Sequence, residues 1–185
     1  MAPIEAIAIA AGAAYILLAI RQHRACWLAG GASTALYIAV FARAGLPLQA
    51  ALQLLYVALS VYGWFAWRPG GAAQPRPRRW PLRYHLIALA GVGLATAASA
   101  AVLERLALSS APLADSVGTW ASVVATGLLA RRIVDSWLWW IAVDAGLAAL
   151  FASQGLTGTA ALYLAYAALA VAGWRTWRRS MAAAA

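Results

Sequence analysis

Two stretches, LLYVALSVYGWFAWR at residues 54–68 and ALYLAYAALAVAGWRTWR at residues 161–178, close alike on Gly-Trp-x-x-Trp-Arg. Gly63 and Gly173, Trp64 and Trp174, Trp67 and Trp177, and Tyr56 and Tyr166 each stand 110 positions apart. The same offset pairs Trp27-Leu28 with Trp137-Leu138, Phe41 with Phe151, and Gly45-Leu46 with Gly155-Leu156. From Trp27 to Arg68, 21 of 42 positions match their partners. Ala and Leu coincide readily in so Ala-rich a chain, so the weight rests on the Trp, Tyr, Phe, Gly and Arg pairs. A duplication of this kind decides how the rest of the chain is organised.

Composition sets the class. Of 185 residues, 65% are hydrophobic and 10% charged, and ten are Trp, which places the chain in a membrane. The net charge of +9 does not mark a nucleic-acid binder, because the Arg residues fall in short clusters between long apolar runs. The lone Cys26 excludes an intramolecular disulfide and a cysteine zinc cage. The opening MAPIEAIAIAAGAAY lacks the basic n-region of a signal peptide and reads as a first membrane helix. There is no GxxxxGK loop, nucleophile elbow, HExxH pair or acid-rich metal site, so neither an ATPase nor an enzyme is expected, and no cofactor or metal.

A helix needs about 20 apolar residues to cross the hydrocarbon core. Seven stretches qualify: 3–20, 26–42, 47–67, 84–102, 112–130, 136–153 and 156–177. Arg21 and Arg24, the group Arg68, Arg76, Arg78, Arg79 and Arg83, the pair Arg131 and Arg132, and Arg175, Arg178 and Arg179 all lie on one side. The other side has Arg43 and Arg105 against Glu5, Glu104 and Asp115. Basic loops stay cytoplasmic, so the N-terminus is expected outside and the C-terminus inside. The linker RPGGAAQPRPRRWPLR can neither continue a helix nor enter the membrane. Three helices per repeat is odd, so one intervening helix is needed to make the repeats parallel. The expected fold is all-α, seven transmembrane helices in a parallel 3+1+3 repeat. Residues 1–68 form the first repeat, 69–110 the cytoplasmic linker and linker helix, and 111–179 the second repeat.

Candidate site residues lie on helical stripes. Gln49, Gln53, Tyr56, Ser60, Gly63 and Trp67 follow one another at steps of four and three, and Thr159, Tyr163, Tyr166, Ala170, Gly173 and Trp177 repeat that stripe. An unpaired amide in hydrocarbon is costly, so the glutamines either glue helices together or face a polar solute. Trp137, Trp140 and Asp144 share a face of the sixth helix, and an intramembrane acid is a functional candidate by default. Their counterparts are Trp27, Gly30 and Thr34. The fifth helix adds Asp115, Thr119, Ser122 and Thr126, with Trp120 beside them. Asp115 and Glu5 are read as helix-start acids that favour the dipole. The tryptophans of the two Gly-Trp-x-x-Trp-Arg endings read as interfacial anchors. The expected substrate site is Thr34, Tyr37, Gln49, Gln53, Tyr56, Trp120, Trp137, Trp140, Asp144, Tyr163 and Tyr166.

These residues also carry a family likeness. LQLLYVALSVYGWFAW, SWLWWIAVDAGLAALF, GLTGTAALYLAYAALAVAGWRTW and DSVGTWASVVATGLLARR resemble the PnuC family of bacterial vitamin transporters over nearly the whole chain. Ser136 stands where many members have Asn. The resemblance implies a SWEET-like fold that moves nicotinamide riboside, or thiamine or riboflavin in related members, across the inner membrane. It further implies facilitated diffusion, with trapping by a cytoplasmic vitamin kinase, and binding by the stripes of Gln53, Trp137, Trp140 and Asp144. A pyridinium or thiazolium is a flat cation that a tryptophan face attracts by about 0.5 to 2 kcal/mol. The substrate-binding subunit of an energy-coupling vitamin importer and a membrane scaffold remain as other classes. The expected partners are the vitamin and the lipid bilayer, without nucleic acid, and self-association is left open.

Overall fold

The computed structural model describes residues 2–43, 47–68, 76–108, 111–153 and 155–183. Seven helices account for most of them: α1 (Ala2–Ile20), α2 (Cys26–Arg43), α3 (Pro47–Ala66), α4 (Leu82–Arg105), α5 (Pro112–Ala130), α6 (Ser136–Ser153) and α7 (Thr157–Ala182). Among the described residues, α2, α4, α5, α6 and α7 are each long and apolar enough to cross a membrane. The apolar stretches so described in α1 and α3, Ala6–Ile20 and Leu52–Ala66, are shorter. The expected boundaries hold to within a few residues, with two extensions. α4 starts directly after Pro81, and α7 runs through Arg175, Arg178 and Arg179 to Ala182, because nothing in that Arg- and Ala-rich tail breaks a helix. Linker residues 69–75 lie outside the described residues.

Four helices end in the same way. The N–H three residues past the helix bonds back five residues, His23 to Leu18, Leu108 to Leu103, Ile133 to Leu128 and Leu156 to Phe151, at 2.9 to 3.0 Å. In each case the residue just before that donor takes a left-handed conformation: Gln22, Ala107, Arg132 and Gly155. This closure satisfies carbonyls that the helix leaves open, and an apolar pair such as Leu128 with Ile133 accompanies it. Only Gly155 adopts it free of a Cβ clash. Gln22 and Arg132, 110 apart, have φ of 56° and 55°.

The chain divides into two compact units. Unit one holds Met1–Pro77, Ala130–Arg132 and Thr176–Ala185. Within it α1 packs on α2 and α2 on α3. Gly63 lets α3 approach the ring of buried Trp27, into which a Cβ would project. Trp67 and Trp177 are 1% and 0% exposed, so they are core residues and not the interfacial anchors expected. Their indoles donate to Ala130 O at 3.0 Å and Ala19 O at 3.1 Å, two carbonyls at helix C-terminal ends. The Arg132 guanidinium lies 4.3 Å from the centre of the Trp67 ring, and burial lowers its pKa from the ordinary arginine value.

Unit two holds Arg78–Leu129 and Ile133–Arg175. Here Gly173 does for Trp137 what Gly63 does for Trp27, since a Cβ at Gly173 would come within 2.6 Å of that ring. A strand-like bridge joins Arg78 to Ile133, and Val134 N–H donates to Arg78 O at 2.9 Å. Buried Asp135 then accepts from Trp80 N–H at 2.7 Å and from Arg79 Nε at 3.3 Å. His85 Nε2 stands 3.5 Å from the same carboxylate, and Trp139 Nε1 donates to His85 Nδ1 at 3.2 Å. Asp135 and Trp139 correspond to Ala25 and Ala29 in the other repeat. The two halves therefore differ in sequence where α6 receives the start of α4.

Candidate substrate site

α6 and α7 meet at two points on the face of α6 that bears Asp144. At one end Trp137 rests on Gly173, and at the other Phe151 stacks on Tyr163 with centroids 5.3 Å apart and planes at 25°. Trp137, Trp140, Asp144 and Phe151 stand at i, i+3, i+7 and i+14, so Trp140 and Asp144 lie between the two contacts. Between Tyr166 and Gly173, residues 167–172 of α7 are mostly alanine. Asp144 is 6% exposed and forms no hydrogen bond or ion pair among the described residues. A membrane carboxylate without a protein partner is a group that a cationic or hydroxyl-bearing solute would satisfy.

The two tryptophans differ. Trp137 is 3% exposed and wedged against Gly173 of α7, whereas Trp140 is half-buried. Tyr163 meets Tyr166 edge-on at 5.9 Å, and both are half-buried on α7. Trp120 donates its indole N–H to Ser99 Oγ at 3.1 Å, which commits it to α4–α5 packing.

In unit one the expected residues sit as follows. Thr34 donates back to Gly30 O at 3.1 Å, so its hydroxyl is satisfied by its own helix. Tyr37 stacks on Phe41 with centroids 5.6 Å apart. Gln53 and Tyr56 are half-buried on α3, and the Gln53 amide makes no hydrogen bond among the described residues. The Gln49 side chain lies outside the described residues.

Tyr15 was not anticipated. Its ring fills the place beside Gly30, where a Cβ would come within 2.9 Å of it, and it meets Trp27 at 6.0 Å. Its hydroxyl is buried without a hydrogen-bond partner among the described residues. The signal was present at position 30, since Gly30 is the repeat partner of Trp140 and the missing ring has to come from another helix.

Comparison with known proteins fits this arrangement. Residues 2–179 match the profile of the family described as nicotinamide mononucleotide transporter. The chain is 26% identical over 204 residues to the nicotinamide riboside transporter PnuC of Escherichia coli, covering 96% of this chain and 85% of that one. It is 31% identical over 136 residues to the riboflavin/roseoflavin transporter RibM of Streptomyces davaonensis, covering 70% of this chain and 63% of the relative. Its fold aligns with a crystal structure of the vitamin B3 transporter PnuC at a TM-score of 0.72 and 24% identity, covering 95% of this chain and 80% of the other. With a profile match along nearly its whole length and an all-helical membrane fold of the same kind, the chain belongs to the nicotinamide mononucleotide transporter (PnuC) family.

Proposed function

We propose that this multi-pass membrane protein takes up nicotinamide riboside across the bacterial inner membrane by facilitated diffusion, and that a separate cytoplasmic vitamin kinase traps the product. The observation that carries the proposal is Asp144, a buried carboxylate with no ion pair among the described residues, one turn from the half-buried face of Trp140. A pyridinium ribonucleoside is a flat cation with hydroxyls. Trp140 would take the ring by cation–π attraction of about 0.5 to 2 kcal/mol, Asp144 would balance its charge, and the Tyr163 hydroxyl suits its ribose. The relatedness to the nicotinamide riboside transporter of Escherichia coli over 96% of the chain supports this reading.

The proposed architecture is seven spans in a parallel 3+1+3 arrangement, with the N-terminus outside and α4 as the linker helix. Three matched details at the 110-residue offset support it: Trp27 on Gly63 with Trp137 on Gly173, Gln22 with Arg132, and Trp67 with Trp177. A riboflavin carrier is the second reading, favoured by the 31% identity to RibM. Riboflavin is flat and neutral, so it would use Trp140 and gain nothing from the charge of Asp144.

The test uses nicotinamide riboside and its uncharged reduced form. Asp144→Asn should weaken binding of the cation by about tenfold or more relative to the reduced form, because the charge term alone is lost. Trp140→Ala should weaken both by about 0.5 to 2 kcal/mol. An affinity ratio unchanged by Asp144→Asn would remove Asp144 from the site, and selective binding of riboflavin by the parent protein would favour the second reading.

A further inference from the structure

A second feature of α6 lies on the opposite side from Asp144. Residues 135, 138, 139, 142 and 143 form a stripe about half a turn away from Trp137, Trp140 and Asp144. That stripe, with α4 and α5, encloses a lateral groove of about 780 Å³. Its walls are apolar: Leu89 and Val92 on α4, Val117 and Ala121 on α5, Leu138 and Ala142 on α6. Leu89, Val117 and Leu138 are 54%, 48% and 40% exposed, so the groove opens sideways along helices that cross the membrane. From Leu82 to Val92 it follows α4 for eleven residues, about 15 Å of helix rise. Half of a ~30 Å hydrocarbon core is the same depth, that of one leaflet.

The mouth of the groove is polar and basic. Arg79, Trp80, His85 and Asp135 line it, and the arginine Nε holds Asp135 while its side chain stays 65% exposed. Asp135 offsets about one positive charge, but the exposed Arg78 and Arg83 stand next in sequence to the lining residues Arg79 and Leu82. All fourteen basic residues of this chain are Arg, whose fork suits a phosphate better than an ammonium does.

We infer that this groove holds an anionic glycerophospholipid, with an acyl chain along α4 and α6 and the headgroup phosphate at Arg79 and Arg83. Leaflet depth, lateral opening and excess positive charge at one end together specify that occupant. A vitamin would find nothing polar beyond the mouth. Basic residues beside membrane helices attract anionic lipid, and basic pockets there hold anionic headgroups.

The test is native mass spectrometry of the full chain in mild detergent, with phosphatidylglycerol and phosphatidylcholine of identical acyl chains added in equal amounts. The parent protein should retain one phosphatidylglycerol in preference. Arg79→Gln should cut that preference about fivefold. Arg83→Gln, which touches Tyr84 and not the Asp135 cluster, should do the same and guards against misfolding of the first variant. Ala142→Trp fills the groove and should abolish retention of both lipids in a protein that still melts cooperatively. Equal retention of the two lipids by the parent, or retention unaffected by Ala142→Trp, overturns the inference. So does an oligomer without lipid that Ala142→Trp disperses, since the occupant would then be a second copy of the chain.

Discussion

Gly173 and Trp137 show how much of this protein is decided by single side chains. The ring of Trp137 fills the space a Cβ at Gly173 would need, and the ring is too buried to yield. Gly173→Ala should therefore lower unfolding stability by about 1 to 3 kcal/mol, read as a drop in thermal midpoint in detergent. Gly146→Ala on α6 has nothing within 4 Å of the added Cβ and should be neutral or slightly stabilising. Equal effects of the two would show that the close approach is not what fixes the glycine. At this scale sequence reading was uneven. Asp144 stood out because a lone acid in an apolar run has few explanations. The difference between Trp137 and Trp140 was hidden, because it depends on Gly173, a residue of another helix. Tyr15 was hidden for the same reason.

Helix ends account for the paired tryptophans. A C-terminal carbonyl in apolar surroundings has no water to satisfy it, and Trp67 and Trp177 each bring an N–H to one. Trp177→Phe keeps an aromatic ring but deletes the pyrrole half with its donor, and should cost about 1 to 3 kcal/mol from the stranded carbonyl at Ala19 and the void left behind. Trp174→Phe, at a half-buried position, should cost less. Thermal melts of the two variants compare them directly, and a larger loss at Trp174 would contradict the capping role. From sequence, Trp followed by Arg at a helix end looks the same whether it caps a carbonyl or sits at a lipid interface. Only burial separates the two. Helix extents were legible, because apolar runs and the Pro and Gly between them set where a span starts and stops. The orientation of those spans gives a further prediction: a reporter fused after Ala185 should be cytoplasmic and one placed before Pro3 external. A cytoplasmic N-terminus would overturn the seven-span reading.

For the whole molecule, the 110-residue echo was the most informative feature of the sequence, and its matched turns and matched Gly–Trp contacts recur in the structure. The departures from the echo were harder to read. Asp135 and Trp139 break it to receive the start of α4, and Trp140 and Asp144 break it at the candidate site. Sequence shows such departures side by side without saying which serve packing and which serve a solute. Membership of a transporter family settles the class of activity, and the absence of a GxxxxGK motif leaves ATP without a binding loop of that kind in this chain. We propose that this protein lets a vitamin equilibrate and does not drive it. Uptake of labelled nicotinamide riboside into vesicles that contain only this protein tests the claim most directly. Label should enter and leave without ATP or an ion gradient and stop at equal concentrations on the two sides, whereas accumulation dependent on a proton or sodium gradient, or no uptake above protein-free vesicles, would contradict it.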